Sequence, residues 1–332
     1  MPAEWDPHVQ TITVWPDPTS ILEDDVVQSA RLEVSAIANG IARFEPVTMY
    51  TRPEQVKLAQ DTVSQNVTVV GLEACHLWVR DSGPIFVKNT GDGETTALSM
   101  NFNYWGGKLP RDGDQNVAEN IASVTNSPLL VAPFQAEGGA IEVDGEGTLL
   151  ATESSIINSN RNPGLSKQQL EDHFNLTLGV TKTIWVPGLK DYDLTDYHID
   201  ALARFLAPGT VLLGKPPANA HNSVVNAYKE TKEVFSQETD SRGKRLRIVE
   251  VVEPDLAKIP GAHFGYTIAS YVNYLVVNGG VIVPRFNVKD ADGNAVELFR
   301  RHFPGRQIVQ VEVNTLPKLG GGIHCATQQV IA

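Results

Sequence analysis

"AIEVDGEGTLLATESSII", residues 140–157, places apolar, β-rich arms on either side of Asp144-Gly145-Glu146-Gly147. Glycine enters left-handed backbone without a Cβ clash and Asp favours tight turns, so the arms read as two strands of a hairpin. The same design returns twice. "IFVKNTGDGETTALSMNFN" (85–103) turns at Gly91-Asp92-Gly93, and "SYVNYLVVNGGVIVPRF" (270–286) turns at Asn278-Gly279-Gly280. Around the hairpins, apolar residues recur at three and four positions in "RPEQVKLAQDTVSQ" (52–65), "SKQQLEDHF" (166–174), "HIDALARFL" (198–206) and "DADGNAVELFRRHF" (290–303). That period predicts helices. The succession of hairpin, helix and strand returns at intervals of roughly 50 to 70 residues, which predicts an α/β fold of quasi-repeated units. A ring of such units would gather its loops at one central site.

No Pro/Ser-rich linker or low-complexity tract divides the 332 residues, so one domain spanning 1–332 is expected. The chain carries 27 basic and 39 acidic residues, a net charge of −12. This balance argues against nucleic-acid or anionic-membrane partners and mildly favours a cationic ligand. The start "MPAEWDPHVQTITVWPDPTS" lacks a basic segment followed by an apolar core, and no run approaches the ~18 apolar residues of a membrane span. A soluble, unexported protein is expected. Two cysteines, Cys75 and Cys325, make no disulfide framework, and paired Cys/His zinc spacings are missing, so a reducing, cytosolic compartment and no metal are expected.

The two thiols differ in setting. Cys75 ends the apolar run "VTVVGLEAC" (67–75), where an inert buried thiol is the expectation. Cys325 sits in "GGGIHCATQQ" (320–329), where three glycines let backbone approach a ligand closely. Four more segments combine charge with glycine or aromatic residues: "LWVRDSGPIF" with Trp78, Arg80 and Asp81; "NFNYWGGK" with Trp105; "AEGGAIEVDGEG" with Glu137; and "TDYHID" with His198 and Asp200. Each taken singly has an ordinary structural use. Asp81 can cap a turn, Trp78 can be core, Glu137 can face solvent, and Asp200 can cap a helix opening at His198. Together they suit a thiol nucleophile, which needs a proton-transfer partner, acting on a cationic electrophile, which needs carboxylates. A guanidinium is such an electrophile.

The blocks "MPAEW", "WVRDSGP", "FNYWGGK", "EGGAIEVDGEGTLLATE", "NRNPG", "HID", "SYVNYLVVNGGVIVP" and "GGGIHCATQQ" stand in an order that resembles the agmatine deiminase and bacterial-type peptidylarginine deiminase family. The resemblance implies the pentein fold, a propeller of five ββαβ-type units around a central active site. It also implies a catalytic set of Asp81, Glu137, His198, Asp200 and Cys325, a small guanidinium substrate, no metal or organic cofactor, and a homodimer. In that reading Asp81 and Asp200 hold the guanidinium, Cys325 attacks it, and Trp78 and Trp105 wall the pocket. Agmatine converted to N-carbamoylputrescine is the first expectation for the reaction, with putrescine formation downstream. Alternatives are deimination of arginine or peptidyl-arginine to citrulline, or binding of a guanidinium without turnover.

Three positions depart from the pattern. Agmatine-specific members carry a glutamate where this chain has Leu194, with Asp193 and Asp196 as possible substitutes; Tyr197 replaces a usual glycine; and Gly322 stands where many members have asparagine. A pair of arginines that clamps a terminal carboxylate in other members has no counterpart after "NFNYWGGK", the nearest cations being Lys108 and Arg111. A metal-dependent hydrolase drawing on His198, Asp200, His324 and Cys75-His76 is the competing class, and its spacings match no common zinc motif.

Overall fold

A computed structural model describes all residues except 19–23, 74–75, 112 and 264–266. The expectation for Cys75 therefore lies outside the described residues. Sixteen strands are described: β1 (His8–Val14), β2 (Val47–Thr51), β3 (Val67–Gly71), β4 (Ile85–Lys88), β5 (Thr95–Ser99), β6 (Leu129–Val131), β7 (Ile141–Val143), β8 (Thr148–Thr152), β9 (Lys182–Val186), β10 (Ala203–Ala207), β11 (Thr210–Lys215), β12 (Arg247–Val252), β13 (Leu275–Val277), β14 (Gly280–Arg285), β15 (Gln307–Glu312) and β16 (Thr327–Ile331). They form five small sheets, ordered β4-β5-β6, β7-β8-β9, β10-β11-β12, β13-β14-β15 and β16-β1-β2-β3.

One plan runs through all five sheets. An antiparallel pair comes first, and a parallel strand is then added across a helix. A parallel partner cannot be reached by a tight turn, so each unit needs its crossover: Asp24–Ile41, Val117–Val124, Lys167–Leu178, Asn222–Gln237 or Lys289–His302. The crossover helices bury one stripe. Along Asp24–Ile41 the stripe is Val27, Ala30, Val34, Ile37, Ala38 and Ile41, spaced at three and four. The helix Lys167–Leu178 starts on a reciprocal cap between Ser166 and Gln169 and stops at Gly179 in left-handed backbone (φ 69°).

The fifth sheet joins the two ends of the described chain. β16 pairs antiparallel with β1, Gln328 opposite Ile12 and Thr327 opposite Thr13, so the last strand supplies the first hairpin arm of the unit that opens the sequence. Cys325 sits two residues before β16, and this pairing brings its neighbour His324 beside Glu4.

One expected element is different. Residues 198–206 form no helix: a single 3-10 turn spans Ile199–Ala201, and β10 follows at Ala203–Ala207. Ala203, Arg204, Phe205 and Leu206 are all buried, so the strand lacks the alternation that separates strands from helices in a sequence. Its hairpin turns at Pro208-Gly209, with Ala207 opposite Thr210 and Gly209 at φ 70°. Asp200 consequently caps no helix.

Candidate active site

Four segments at the strand ends deliver the predicted polar residues to one place. Asp81 rides on the short turn Val79–Ser82, Glu137 precedes the turn Gly138–Ala140, and His198 and Asp200 flank Ile199. Cys325 comes from the segment leading into β16. Relative exposures of 4% for Asp81, 1% for Glu137, 3% for His198, 1% for Asp200 and 7% for Cys325 make this an enclosed site, where charges interact strongly.

Gly139 reports how tightly the groups converge. A Cβ there would lie 2.6 Å from His198 Nδ1 and 3.0 Å from both Asp200 Oδ2 and Asp81 Oδ1. The absence of that carbon lets a basic nitrogen and two carboxylates face one point. Asp81 Oδ1 accepts from the Gly139 backbone N–H (3.1 Å) and Oδ2 from the indole of Trp105 (2.9 Å). His198 Nε2 meets Glu137 Oε2 at 3.3 Å, while Nδ1 stands 3.8 Å from Asp81 Oδ1 and is buried without a hydrogen-bond partner. Cys325 Sγ lies 3.6 Å from Asp200 Oδ2, whose other oxygen, Oδ1, is also buried and unpaired. A guanidinium supplies the donor that Asp200 Oδ1 lacks.

Burial and neighbouring charge set the protonation states. Desolvation raises the Asp81 carboxyl, His198 lowers it and the nearby Asp200 and Glu137 raise it, leaving it pushed up to about 6. Desolvation lowers the imidazole of His198, but Asp81, Glu137 and Asp200 outweigh it and hold it at about 9. Burial would also raise Asp200, yet His324 and other cations keep it below the usual carboxylate range. The Cys325 thiol is driven well up by burial and by the charges of Asp200 and Asp81. Without a cation between them, these two carboxylates hold the sulfur in its thiol form.

The tryptophans fare differently. Trp105 touches the site through Asp81 and sits on an unusual stretch: Tyr104, Trp105, Gly106 and Gly107 have φ of 63°, 54°, 75° and 76°. Four successive left-handed residues are costly, and Asn103 stabilises them by accepting from the Gly106 N–H (2.8 Å) while donating to Gln135 Oε1 and Asn160 O. Trp78 instead packs behind the segment that bears Cys325: a Cβ on Gly321 would lie 2.6 Å from its ring, and its carbonyl accepts the N–H of Asp81.

Several participants carry weaker sequence signals. Arg161, in the "NRNPG" block, donates from Nε to Glu137 Oε1 (2.8 Å) and from Nη1 to Asp196 Oδ2 (2.8 Å), fixing the carboxylate that faces His198. His324 bridges Asp200 Oδ2 and Glu4 Oε2, 2.8 Å from each, and Glu4 also meets Arg204 Nη2 at 2.8 Å. Asn273 touches the sulfur itself, with Nδ2 at 3.2 Å from Sγ. The signal available for Asn273 was one amide in the otherwise apolar and aromatic stretch "YVNYLVV". His76 sits edge-on to Trp105 at 4.8 Å, and among the described residues no three His, Cys, Asp or Glu side chains form a metal-holding group.

Five sheets, four of them two-plus-one and the fifth extended by a further parallel strand, define a pentein. The chain belongs to the Porphyromonas-type peptidyl-arginine deiminase family, whose model matches residues 1–330. A Streptomyces coelicolor relative provisionally named agmatine deiminase is 38% identical, covering 99% of this chain and 98% of its own. The agmatine deiminase of Medicago truncatula is 35% identical over 99% of this chain and 95% of its own. Among solved structures, the agmatine deiminase of Enterococcus faecalis superposes with a TM-score of 0.91 at 30% identity, covering 99% of this chain and 95% of that one.

Proposed function

We propose that this protein is a cysteine-dependent guanidine deiminase, a hydrolase of C–N bonds in linear amidines, with agmatine as its best substrate. The observation that carries the reading is the meeting of His198 Nδ1, Asp81 and Asp200 around Gly139, with Cys325 Sγ 3.6 Å from Asp200. The relatives named for agmatine deiminase, matched along nearly the whole chain, support the same chemistry.

Asp81 and Asp200 accept the N–H groups of the guanidinium and hold its carbon toward sulfur. The bound cation offsets the two negative charges that raise the thiol, so when substrate is present the thiol releases its proton to water and the thiolate forms. Sulfur attacks the guanidinium carbon. Protonated His198 gives its proton to one nitrogen, the C–N bond breaks, and ammonia leaves. The S-alkylthiouronium that remains is attacked by water, whose proton passes to the now neutral His198. The C–S bond then breaks with its electron pair returning to sulfur, which takes up the hydroxyl proton of the adduct, and a neutral ureido product departs. Glu137, tied to Nε2 and braced by Arg161, keeps the ring turned with Nδ1 inward. Trp105 orients Asp81, and Trp78 backs the nucleophile segment. The whole chain acts in this reading as one catalytic domain, a homodimer of the cytosol; no helix among the described residues is long and apolar enough to cross a membrane.

The far end of the substrate meets an unusual wall. Asp196 is buried and taken by Lys108 Nζ (2.7 Å) and Arg161 (2.8 Å), and Asp193 Oδ1 accepts from Thr195 N, Thr195 Oγ1 and Tyr197 N. Leu194 packs on the apolar cluster that contains Trp78, Phe102, Trp105 and Cys325. These observations favour a second reading in which the tail is held by apolar contact rather than through a terminal amine. Ammonia release from agmatine, an alkylguanidine of equal length, arginine and arginine-terminated peptides separates the readings. Cys325→Ala should abolish release from every substrate. Preference for agmatine by more than about 30-fold, the worth of a desolvated charge pair, favours an amine site, and near-equality favours the apolar tail. No release from any guanidine would sink the deiminase assignment.

A further inference from the structure

A pocket of about 770 Å³ opens between the loop 192–197, the end of β11 and the helix Asn222–Gln237. The loop divides its side chains between two places. Leu194 packs on the apolar cluster that contains Cys325, whereas Tyr197 packs, with Tyr228, on the cluster that contains Ile199 and Leu202. Tyr192, Asp193 and Tyr197 line the pocket, and none of the five polar residues of the active site does.

The pocket is built around a carboxyl. Glu253 follows β12, and its N–H donates to the carbonyl of Lys215 at the end of β11 (2.9 Å). A Cβ on Gly214 would lie 2.6 Å from Glu253 Oε1, so the missing carbon is what admits the acid to this space. Oε1 lies 2.7 Å from Ser270 Oγ, and Oε2 accepts the N–H of Tyr271 at 2.7 Å. Both donors are neutral. Burial therefore dominates and pushes the carboxyl up to about 8. Leu202, Pro216, Val224, Leu256 and Ile268 supply an apolar wall, and Tyr197 stands edge-on to Tyr192 at 5.3 Å. Asp193 uses Oδ1 for Thr195 and Tyr197, and its Oδ2 has no hydrogen bond among the described residues. No Lys or Arg is among the described residues that line the pocket, and Lys232, beside Tyr228, is paired with Glu250 at 2.9 Å.

We propose that this pocket is a second binding site, for a primary ammonium carried on an apolar or aromatic body. The ammonium meets Glu253 and Asp193, the tyrosine rings offer faces to a cation, and the apolar wall takes the body. An anion would face two acids and no cation. A neutral molecule would cover Glu253 without pairing it. On binding, the Glu253 carboxyl releases its proton to water and the carboxylate pairs with the ammonium. The inference does not depend on the deiminase reading.

The probe is phenethylamine, with phenethyl alcohol and phenylacetate as its neutral and anionic counterparts, titrated calorimetrically into the whole chain. The amine should bind at least about 10-fold more tightly than either counterpart, as for a desolvated charge pair. Its affinity should rise by up to about tenfold per unit between pH 6 and 8, with release of up to one proton, and Glu253→Gln should remove both effects. The other titratable groups facing Glu253 are Asp193 and Tyr197 from the loop, Tyr271 from the segment entering β13, and His221 and Tyr228 from the helix and its cap. Loss of the slope in Glu253→Gln assigns the proton to Glu253 rather than to these. Val224→Trp, which fills the pocket from the helix, should abolish binding, whereas Asp81→Asn, which weakens the hold on a cation at the active site, should leave it unchanged. If Val224→Trp fails to fold, Glu253→Gln and Asp81→Asn decide. Binding that survives Glu253→Gln and is lost in Asp81→Asn would put the amine in the active site and overturn the proposal. So would equal affinity for the alcohol, or no binding at about 20 mM amine.

Discussion

Gly139 shows how much of the site depends on an atom that is missing. The five polar residues of the set were legible from their blocks, since each acid, imidazole or thiol has a chemistry of its own. What Gly139 does was not. A glycine pair beside Glu137 reads as a turn, and only the assembled structure reveals His198, Asp200 and Asp81 within 3.0 Å of the vacant Cβ position. Asn273 escaped notice for a similar reason, because its contacts with Cys325 Sγ and two N–H groups come from a segment about fifty residues away. Gly139→Ala should therefore cost activity far more than stability. The methyl must displace His198 or a carboxylate, an overpacking worth about 1–3 kcal/mol, while turnover should fall at least ~100-fold from lost geometry. Steady-state kinetics and a thermal melt check this together. Activity within a few fold of wild type would show that the three groups do not work at that point.

At the scale of elements, three hairpins announced themselves by their glycine turns, and the one at Pro208-Gly209 did not. Its first strand, β10, is buried from Ala203 to Leu206 and carries Arg204, whose guanidinium lies over the ring of Tyr274 (4.5 Å) and bonds Glu4 and Glu142. A buried, charge-bearing strand has neither alternation nor apolar continuity to mark it. The left-handed stretch 104–107 was equally hidden, since tyrosine and tryptophan rarely adopt positive φ and nothing in "NYWGG" demands that they do. That stretch carries the indole bonded to Asp81, and it approaches the Asn160-Arg161 pair closely. A Cβ on Gly106, at φ 75°, would lie 2.3 Å from Asn160 Nδ2 and 2.6 Å from Arg161 Nη1. Gly106→Ala should thus disturb both Trp105 and the brace on Glu137, lowering kcat/KM while the rest of the fold persists. Gly107→Ala is the control: it has the same left-handed backbone strain with nothing within 4 Å of its Cβ position. Equal losses from the two would assign the effect to backbone strain alone.

The closed arrangement of five sheets encloses titratable groups that an open chain would leave in water, and the cost of that enclosure depends on pH. His198 is held at about 9 in the folded protein, above the usual 6.5, so it contributes stability below pH 6.5 and loses it as pH rises through 9. Glu253, raised to about 8 by desolvation and lowered less by its bonds to Ser270, Tyr271 and Val272, has the same sign. An unfolded chain releases that proton near 4.5 while the folded one keeps it to about 8. The lowered amino group of Met1 works in the opposite direction near its own titration. His76, lowered to about 3, and His302, also lowered, work in that opposite direction too, so the falling shares of His198 and Glu253 between pH 6.5 and 8 are read one at a time against wild type. Each fully retained proton is worth about 1.4 kcal/mol per pH unit. In denaturant melts at pH 6.5, 7.25 and 8, Glu253→Gln and His198→Asn should each make the slope of stability against pH more positive than that of wild type by up to one proton's share. His198→Asn also removes turnover, whereas Glu253→Gln, remote from the reacting atoms, should retain much of it. A variant whose slope matches that of wild type would mean that the replaced group does not keep its proton across this window, and for His198 the charge assigned to the site would fail with it.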